Sequence, residues 1–140
     1  AEVLNLWMHT DADETVNYHG GYIYTSYFLT GEHMPWKRSA GILDRIKPHR
    51  EFVRTSCHHK RGWGAWQLAL RWSYADFTDA DITGGVGESL TFGVNWHWNP
   101  NARMQFNFID GRIADRDVFA GGPLDGGSYQ IIGTRFLIDF

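Results

Sequence analysis

The amino-acid sequence predicts an all-β fold of antiparallel strands. Apolar and polar residues alternate with a period of two along most of the 140 residues, as they do on the two faces of a strand. No stretch longer than two turns shows the 3.6-residue period of an amphipathic helix. Aromatic residues are the outlier of the composition, with seven Trp, six Tyr and nine Phe, and Gly is also frequent, at 16.

The alternation divides into six predicted strands. They cover residues 2–9, 21–30, 63–77, 88–98, 102–110 and 128–140. Several are longer than the five or six residues that are usual in globular sheets. They approach instead the length of a tilted strand that crosses a bilayer, about 9–11 residues. Strand length therefore favours a membrane barrel.

The two faces of the predicted strands differ in a way that indicates a membrane. One face of the third strand is apolar and largely aromatic, and consists of Trp66, Leu68, Leu70, Trp72 and Tyr74. The opposite face is polar or small, and consists of Gln67, Ala69, Arg71, Ser73 and Ala75. A soluble β-sandwich also alternates, but its single core does not require so wide an aromatic face. We therefore predict an antiparallel transmembrane outer-membrane β-barrel with an apolar outside and a polar lumen.

The connections between strands predict two different ends of the sheet. Residues 98–102 form a minimal turn, whereas residues 78–87 and 111–127 are long and rich in Gly and Asp. Short turns at one end and long loops at the other are typical of outer-membrane barrels. Successive antiparallel strands run in opposite directions, so every second connection lies at the same end of the sheet. If the last strand finishes at the short-turn end, residues 31–62 also lie at that end.

Tryptophans near the strand ends predict an aromatic girdle. Because the third and fourth strands run in opposite directions, the start of the third lies beside the end of the fourth. Trp63 and Trp66 are therefore expected to lie level with Trp96 and Trp98. Aromatic girdles mark the two membrane–water interfaces of a barrel.

Residues 31–62, here called the basic segment, carry most of the positive charge. The segment holds eight Lys and Arg against three Asp and Glu, a net +5, whereas the rest of the chain has a net −8. A solvated loop is the ordinary explanation of such a charge run. Nucleic-acid binding is disfavoured, because stacking aromatics are limited to Trp36 and Phe52. The third interpretation is a turn folded into a pore, where Lys and Arg select anions.

Three arginines outside the basic segment favour the pore. Arg71, Arg103 and Arg135 each fall on the polar face of a different predicted strand. Unpaired arginines inside a soluble sandwich would be very unfavourable, whereas water solvates them in a lumen.

Motifs for catalysis, metals and cofactors are missing from the sequence. Cys57 is the single cysteine, so no intrachain disulfide is possible. The triplet Cys57-His58-His59, with His49 nearby, matches no zinc-ligand spacing. The sequence also contains no phosphate-binding glycine loop and no EF-hand pattern. We therefore predict a protein that is not an enzyme and that uses neither a metal nor a cofactor.

Four blocks of the sequence together resemble the phosphate-selective porin O and P family. They are GGYIYTSYFLTGEHMPW, DRIKP, GWGAWQLALRWSYADF and LTFGVNWHWNPNARMQFNF, which run in the family's order from about Gly20 to Phe140. The resemblance implies a sixteen-stranded, homotrimeric barrel in the outer membrane of a Gram-negative-type bacterium. It implies passage of phosphate or polyphosphate through a lumen lined by Arg and Lys.

The resemblance also implies that a long periplasmic turn in this region folds into the pore. Arg45 and Lys47 of DRIKP carry over as lumen cations, with Lys37 and Arg38 beside them. Where the family often has an aromatic residue and a glycine before this unit, the chain has Leu43 and Asp44. Asp44 places a negative charge next to Arg45.

From these observations we expect residues 1–140 to be the C-terminal portion of a longer barrel domain, because about eight strands is the smallest number that closes one. The terminal aromatic, Phe140, resembles the signal that barrel-assembly machinery recognises. The expected partners are therefore the lipid bilayer, this machinery and anionic solutes, with no nucleic acid. Two alternatives stay open: a plugged barrel with a structural or partner-binding role, and a soluble β-sandwich that binds carbohydrate.

Overall fold

A computed structural model describes residues 1–9, 15–52, 62–79, 82–116 and 126–139. These residues form eight β-strands and no helix, which confirms the predicted all-β class for the part of the chain described. The strands are β1 (Glu2–His9), β2 (Thr15–Phe28), β3 (Trp36–Lys37), β4 (Ile42–Leu43), β5 (Ala65–Asp79), β6 (Ile82–Asn99), β7 (Ala102–Arg116) and β8 (Gly127–Ile138). Within the described ranges, no helix is long and apolar enough to cross a membrane.

Six of the strands form one sheet in the order β1-β2-β5-β6-β7-β8, with β1 and β8 at its edges. β1 and β2 pair antiparallel, and Glu2 lies opposite Tyr22 while Leu6 lies opposite Tyr18. β3 and β4 form a separate antiparallel hairpin, in which Trp36 faces Leu43. Each strand of the large sheet is therefore next to the one that follows it, apart from the inserted hairpin.

The chain forms two compact units, and each contains parts of the long strands. Unit 1 comprises Ala1–Thr25, Leu70–Thr91 and Phe108–Ile131. Unit 2 comprises Ser26–Ala69, Phe92–Asn107 and Ile132–Phe140. Unit 2 thus contains the basic segment, the β6–β7 turn and the end of β8, which are the three segments that alternation assigned to the short-turn end.

Polar side chains on one face of unit 2 join four strands in a chain of hydrogen bonds. Gln67 donates from Nε2 to Ser26 Oγ at 2.9 Å and accepts at Oε1 from Asn95 Nδ2 at 3.0 Å. Asn95 accepts in turn from Gln105 Nε2 at 2.8 Å. Gln67 is only 2% exposed, and its buried amide is satisfied at both ends. These four residues, the polar ladder, show that the predicted polar faces of three strands are one continuous face.

Aromatic side chains pack together on the other face of unit 2. The Trp66 and Trp96 rings are stacked with centroids 5.0 Å apart, and Trp98 meets Trp96 edge-on at 5.5 Å. The carbonyl of Trp63 accepts from both Trp66 Nε1, at 3.1 Å, and Trp96 Nε1, at 2.7 Å. These four residues, the tryptophan cluster, are level with one another, as alternation predicts.

The strands extend farther than the sequence predicted. Residues 78–79 and 82–87 of the first predicted loop are strand, so the prediction is wrong there, while residues 80 and 81 lie outside the described ranges. β5 continues to Asp79 and β6 already begins at Ile82. The glycines that suggested a loop lie within a strand instead. Gly84 packs so closely on the Phe77 backbone that a Cβ would clash, and Gly85 has a φ of 91°, which favours glycine.

The structure also differs from the prediction in the bounds of β2 and β7 and in the β3–β4 hairpin. β2 begins at Thr15 rather than at residue 21, because its Gly20-Gly21 pair fits against neighbouring backbone instead of breaking the strand. β7 continues through Arg116, so residues 111–116 of the second predicted loop are strand, while residues 117–125 lie outside the described ranges. The β3–β4 hairpin is absent from the prediction, because two residues per strand are too few to show a period.

Candidate functional site

A cavity of about 320 Å³ in unit 2 lies between the described part of the basic segment and the large sheet. We call it the Arg45 cavity. Its polar lining consists of Asp44, Arg45, His97, Asn99, Asn101, Arg103 and Asp139. Met34, Leu43, Ile46 and Leu137 are among its apolar lining. His97 lies on the same face of β6 as Asn95, and Arg103 lies on the same face of β7 as Gln105. The cavity therefore opens on the face that carries the polar ladder.

Arg45 is the residue that ties the basic segment to the sheet. Its Nη1 donates to Asn101 Oδ1 at 2.7 Å, and its Nη2 donates to Asp139 Oδ2 at 2.8 Å. The side chains of Arg45 and Asp139 are each about half exposed, at 45% and 53%. A guanidinium that binds two acceptors at once is held in one orientation.

The acceptors of Arg45 are fixed by the turn and the strand end that carry them. Pro100 and Asn101 form the two-residue turn between β6 and β7, as predicted. The Asn101 backbone N–H donates to Asn99 Oδ1 at 2.8 Å, a bond typical of Asx turns. The Asp139 backbone N–H donates to the Asn101 carbonyl at 2.8 Å. The end of β8 and the turn therefore present both acceptors together.

Two buried nitrogens of the sheet belong to residues that line the same cavity. His97 is 5% exposed, and neither its Nε2 nor the Nε of Arg103 bonds to any residue that the structure describes. Buried polar groups are nearly always paired, so these two nitrogens are exceptions among the described residues. The Arg103 Nε is a donor, and His97 Nε2 donates in one of its tautomers.

A second feature of the basic segment is the buried carboxylate of Glu32. It accepts hydrogen bonds from the Thr30 hydroxyl and, at 3.0 Å, from the His49 backbone N–H. Burial raises the pKa of this carboxyl, but these two hydrogen bonds, a bond from its own backbone N–H and the electrostatic effect of His49 together outweigh burial, so the pKa lies below its ordinary value of 4.5. Glu32, Lys47 and His49 line a smaller cavity of about 160 Å³.

No group of His, Cys, Asp and Glu side chains able to hold a metal ion occurs in the described ranges. The Cys57-His58-His59 triplet lies outside them.

Comparison with known proteins identifies the family. A family model described as phosphate-selective porin O and P matches residues 3–140, essentially the whole chain. The chain belongs to the phosphate-selective porin O and P family. The resemblance drawn from the four sequence blocks is thereby confirmed, and the family is one of channels rather than enzymes.

The chain is also similar to an uncharacterized protein of Caulobacter vibrioides. The two are 27% identical over 125 residues, which cover 86% of this chain and 23% of the relative. The porin-family chain thus spans about a quarter of the length of the curated relative that it matches. No solved structure matches it.

The structure brings together some of the predicted site residues of this porin-family chain and separates others. Arg45 and Arg103 line one cavity, and Lys47 lines the smaller one beside it. Lys37, in β3, and Arg38, in the following turn, are exposed and line neither. Arg135, in β8, is exposed and also lines neither. Arg71 belongs to unit 1.

The structure adds residues that the sequence reasoning did not assign to the site. His97, Asn101 and Asp139 complete the Arg45 cavity. The sequence did contain a pattern that points to these residues. The period of two places His97 and Asp139 on the polar faces of their strands, and Asn101 lies in the short turn. What the sequence did not show is that the turn, the strand end and Arg45 meet.

The Arg45 cavity holds a nearly balanced set of charges. Arg45 and Arg103 are countered by Asp44 and Asp139. The Asp44 carboxylate also accepts from the Arg45 backbone N–H at 2.8 Å. The two arginines and the two carboxylates thus leave the cavity without a large net charge.

Proposed function

We propose that the chain forms part of the wall of an outer-membrane β-barrel porin that passes anions, such as phosphate, through a water-filled lumen. In this proposal the six long strands are the C-terminal portion of a sixteen-stranded, homotrimeric barrel of a Gram-negative-type bacterium. The assembly machinery would recognise this barrel through the C-terminal sequence that includes β8 and Phe140. Family membership and the antiparallel all-β sheet support it.

The two faces of unit 2 support the same proposal. The tryptophan cluster would face lipid at the membrane interface, where Trp is enriched. The polar ladder would lie on the lumen side, where a polar strand face is tolerated. Phe52, near the end of the described basic segment, packs on Trp96 at 4.6 Å, so the part proposed to enter the lumen is the part before Phe52.

The observation that carries the proposal is the position of Arg45. Its bonds to Asn101 and Asp139 hold the described part of the basic segment against the polar face, and Arg45 and Arg103 line one cavity there. A positive field inside low-dielectric walls attracts anions, and several weak sites in series let them pass. The proposed anion path consists of Lys37, Arg38, Arg45, Lys47, Arg71, Arg103 and Arg135.

Charge reversal of the DRIKP cations tests this path. In planar bilayers the Arg45→Glu/Lys47→Glu variant should lose most of the anion preference, measured as reversal potential in a KCl gradient. The matched control is Arg50→Glu/Arg112→Glu, which changes the same number of charges at exposed residues that line neither cavity. An unchanged reversal potential in the first variant, or an equal loss in both, would contradict the assigned path.

A plugged barrel with a structural or partner-binding role is the second candidate. The observation that favours it is the anchoring of the basic segment, whose Glu32 and Ile46 are buried and whose Arg45 is bonded to the sheet. Steady current distinguishes the two, because a plugged barrel passes none. A soluble carbohydrate-binding sandwich is disfavoured, since the second sheet among the described residues is only the short β3–β4 hairpin.

A further inference from the structure

Unit 1 contains a cavity of about 550 Å³ on the face that carries Arg71. Its lining is largely apolar and includes Leu4, Leu6, Tyr18, Phe77, Ile113 and Tyr129. Leu4 and Leu6 are 59% and 53% exposed. An apolar lining is not expected on a surface that only contacts the water of a lumen. Small-molecule sites, in contrast, are concave and mostly apolar, with volumes of roughly 300–1,000 Å³. We call this cavity the aromatic pocket.

The shape of the aromatic pocket follows from strand register and from glycines. In the β1–β2 pair, Leu4 lies opposite Gly20 and Leu6 opposite Tyr18, so both leucines stand on the face of Tyr18. The Tyr18 and Phe77 rings pack with centroids 5.9 Å apart. On β7, Gly111 is buried beneath the Tyr129 ring, where any Cβ would clash. Gly111 therefore lets the Tyr129 ring lie directly against β7, and this ring forms part of the pocket lining.

One cation is held in a fixed position at this pocket. The Arg71 guanidinium lies over the Tyr22 ring, 4.0 Å from its centroid, and its Nε donates to Ser73 Oγ at 2.9 Å. No described residue accepts a hydrogen bond from its two Nη groups. These groups form the fork that binds a carboxylate in a bidentate manner.

Glu2 limits the charge that this pocket accepts. The Tyr22 hydroxyl donates to Glu2 Oε2 at 2.6 Å, so a carboxylate lies at the far end of the ring that Arg71 covers. Among the described residues that line this pocket, Arg71 is the one Lys or Arg, whereas Glu88 lines it and Glu2 lies beside it, so the pocket suits a solute with at most one negative charge. A multiply charged solute such as polyphosphate would meet repulsion without a second cation.

We propose that the aromatic pocket binds small aromatic carboxylates, with the carboxylate on the Arg71 fork and the ring against the apolar and aromatic side chains of the lining. Offset and edge-to-face ring contacts add to the affinity beyond buried area alone. The inference rests on the proposed porin function, because the solute would reach the pocket through the lumen. It goes beyond that function in naming a solute class other than inorganic phosphate.

Benzoate and acetate test the pocket, since they share the carboxylate and differ by the ring. Calorimetric titration of the purified protein in detergent, which requires no conduction, should show benzoate binding at least about tenfold more tightly than acetate. Benzoate should also reduce the chloride current in bilayers at lower concentration than acetate does. Arg71→Gln should abolish benzoate binding, and Tyr22→Leu should weaken it, while Arg112→Gln, outside the pocket, should leave it unchanged.

The two readouts separate this inference from the proposed function. Equal binding of benzoate and acetate in a protein that conducts chloride would overturn the pocket and leave the porin in place. Benzoate binding that survives Arg71→Gln would overturn it as well. A protein that binds benzoate through Arg71 but carries no current would support the pocket and contradict the porin. Because Arg71 is exposed, its replacement should not prevent folding.

Discussion

The Nη2 of Arg45 lies 2.8 Å from the Oδ2 of Asp139, although the two residues are 94 positions apart in the chain. The bond joins the basic segment to the end of β8, while the second guanidinium nitrogen binds the β6–β7 turn. Both side chains are about half exposed, so water and salt screen their attraction. The pair therefore matters chiefly for the position of the basic segment.

The first prediction concerns the strength of that pair. In a double-mutant cycle with Arg45→Gln and Asp139→Asn, the coupling energy should be at most about 1 kcal/mol and should fall as salt rises. Urea unfolding in detergent measures it. Arg45→Gln combined with Asp76→Asn, a carboxylate of unit 1, serves as the control and should be additive. Equal coupling in both cycles at low salt would contradict the assigned pair.

The second prediction concerns the polar ladder. Gln67→Leu should lower the free energy of unfolding by about 1–3 kcal/mol, because it removes a buried amide that bonds to both Ser26 and Asn95 and leaves the half-buried Asn95 amide without its acceptor. Gln105→Leu is the matched control, since Gln105 is half-buried and makes one ladder bond. Its effect should be smaller. If both substitutions destabilise equally, the ladder is not centred on Gln67.

The third prediction is a pH dependence of the basic segment. Because the pKa of Glu32 is lowered on folding, its ionised form contributes stability above the ordinary value of 4.5, and this contribution is lost as the pH falls through the lowered pKa. The protection of the His49 amide against exchange, measured relative to the intrinsic exchange rate at each pH, should therefore fall below about pH 4.5. In Glu32→Gln the protection should be lower at neutral pH and should lose this acid dependence. A loss of protection of equal size on acidification of the variant would exclude Glu32 as its source.

The fourth prediction concerns the face of the tryptophan cluster. In bilayers with brominated acyl chains, the fluorescence of Trp66 and Trp96 should be quenched, since they lie on the face proposed to meet lipid. Trp36, on the β3–β4 hairpin of the basic segment, is the internal control. Trp66→Phe and Trp96→Phe should remove quenchable emission, and Trp36→Phe should not. The reverse pattern would place lipid on the other face.

Local alternation was enough to predict much of this fold, because a period of two depends only on neighbouring residues. It assigned Gln67, Asn95 and Gln105 to one face, and hydrogen bonds join them there. It failed at Gly84 and Gly85, where glycine marks close backbone approach within a strand rather than a loop. A glycine-rich stretch in a loop and a glycine-rich stretch in a closely packed strand have the same composition, so composition does not distinguish them.

The candidate site was less predictable, because its contacts join distant segments. The sequence singled out Arg45 and Arg103, and the structure places both on one cavity. The partners of Arg45 depend on where a turn and a strand end meet the basic segment, which no local pattern encodes. The aromatic pocket was missed for the same reason, since Leu4, Phe77 and Tyr129 come from three strands.

Ion selectivity in planar bilayers decides whether this chain belongs to an anion-passing pore. The purified protein, placed between a concentrated and a dilute KCl solution, should carry a steady current whose reversal potential has the sign of chloride permeation. Phosphate added to one side should reduce that current by occupying the same path. A reversal potential with the sign of potassium permeation, or no steady current from correctly inserted protein, would contradict the proposal.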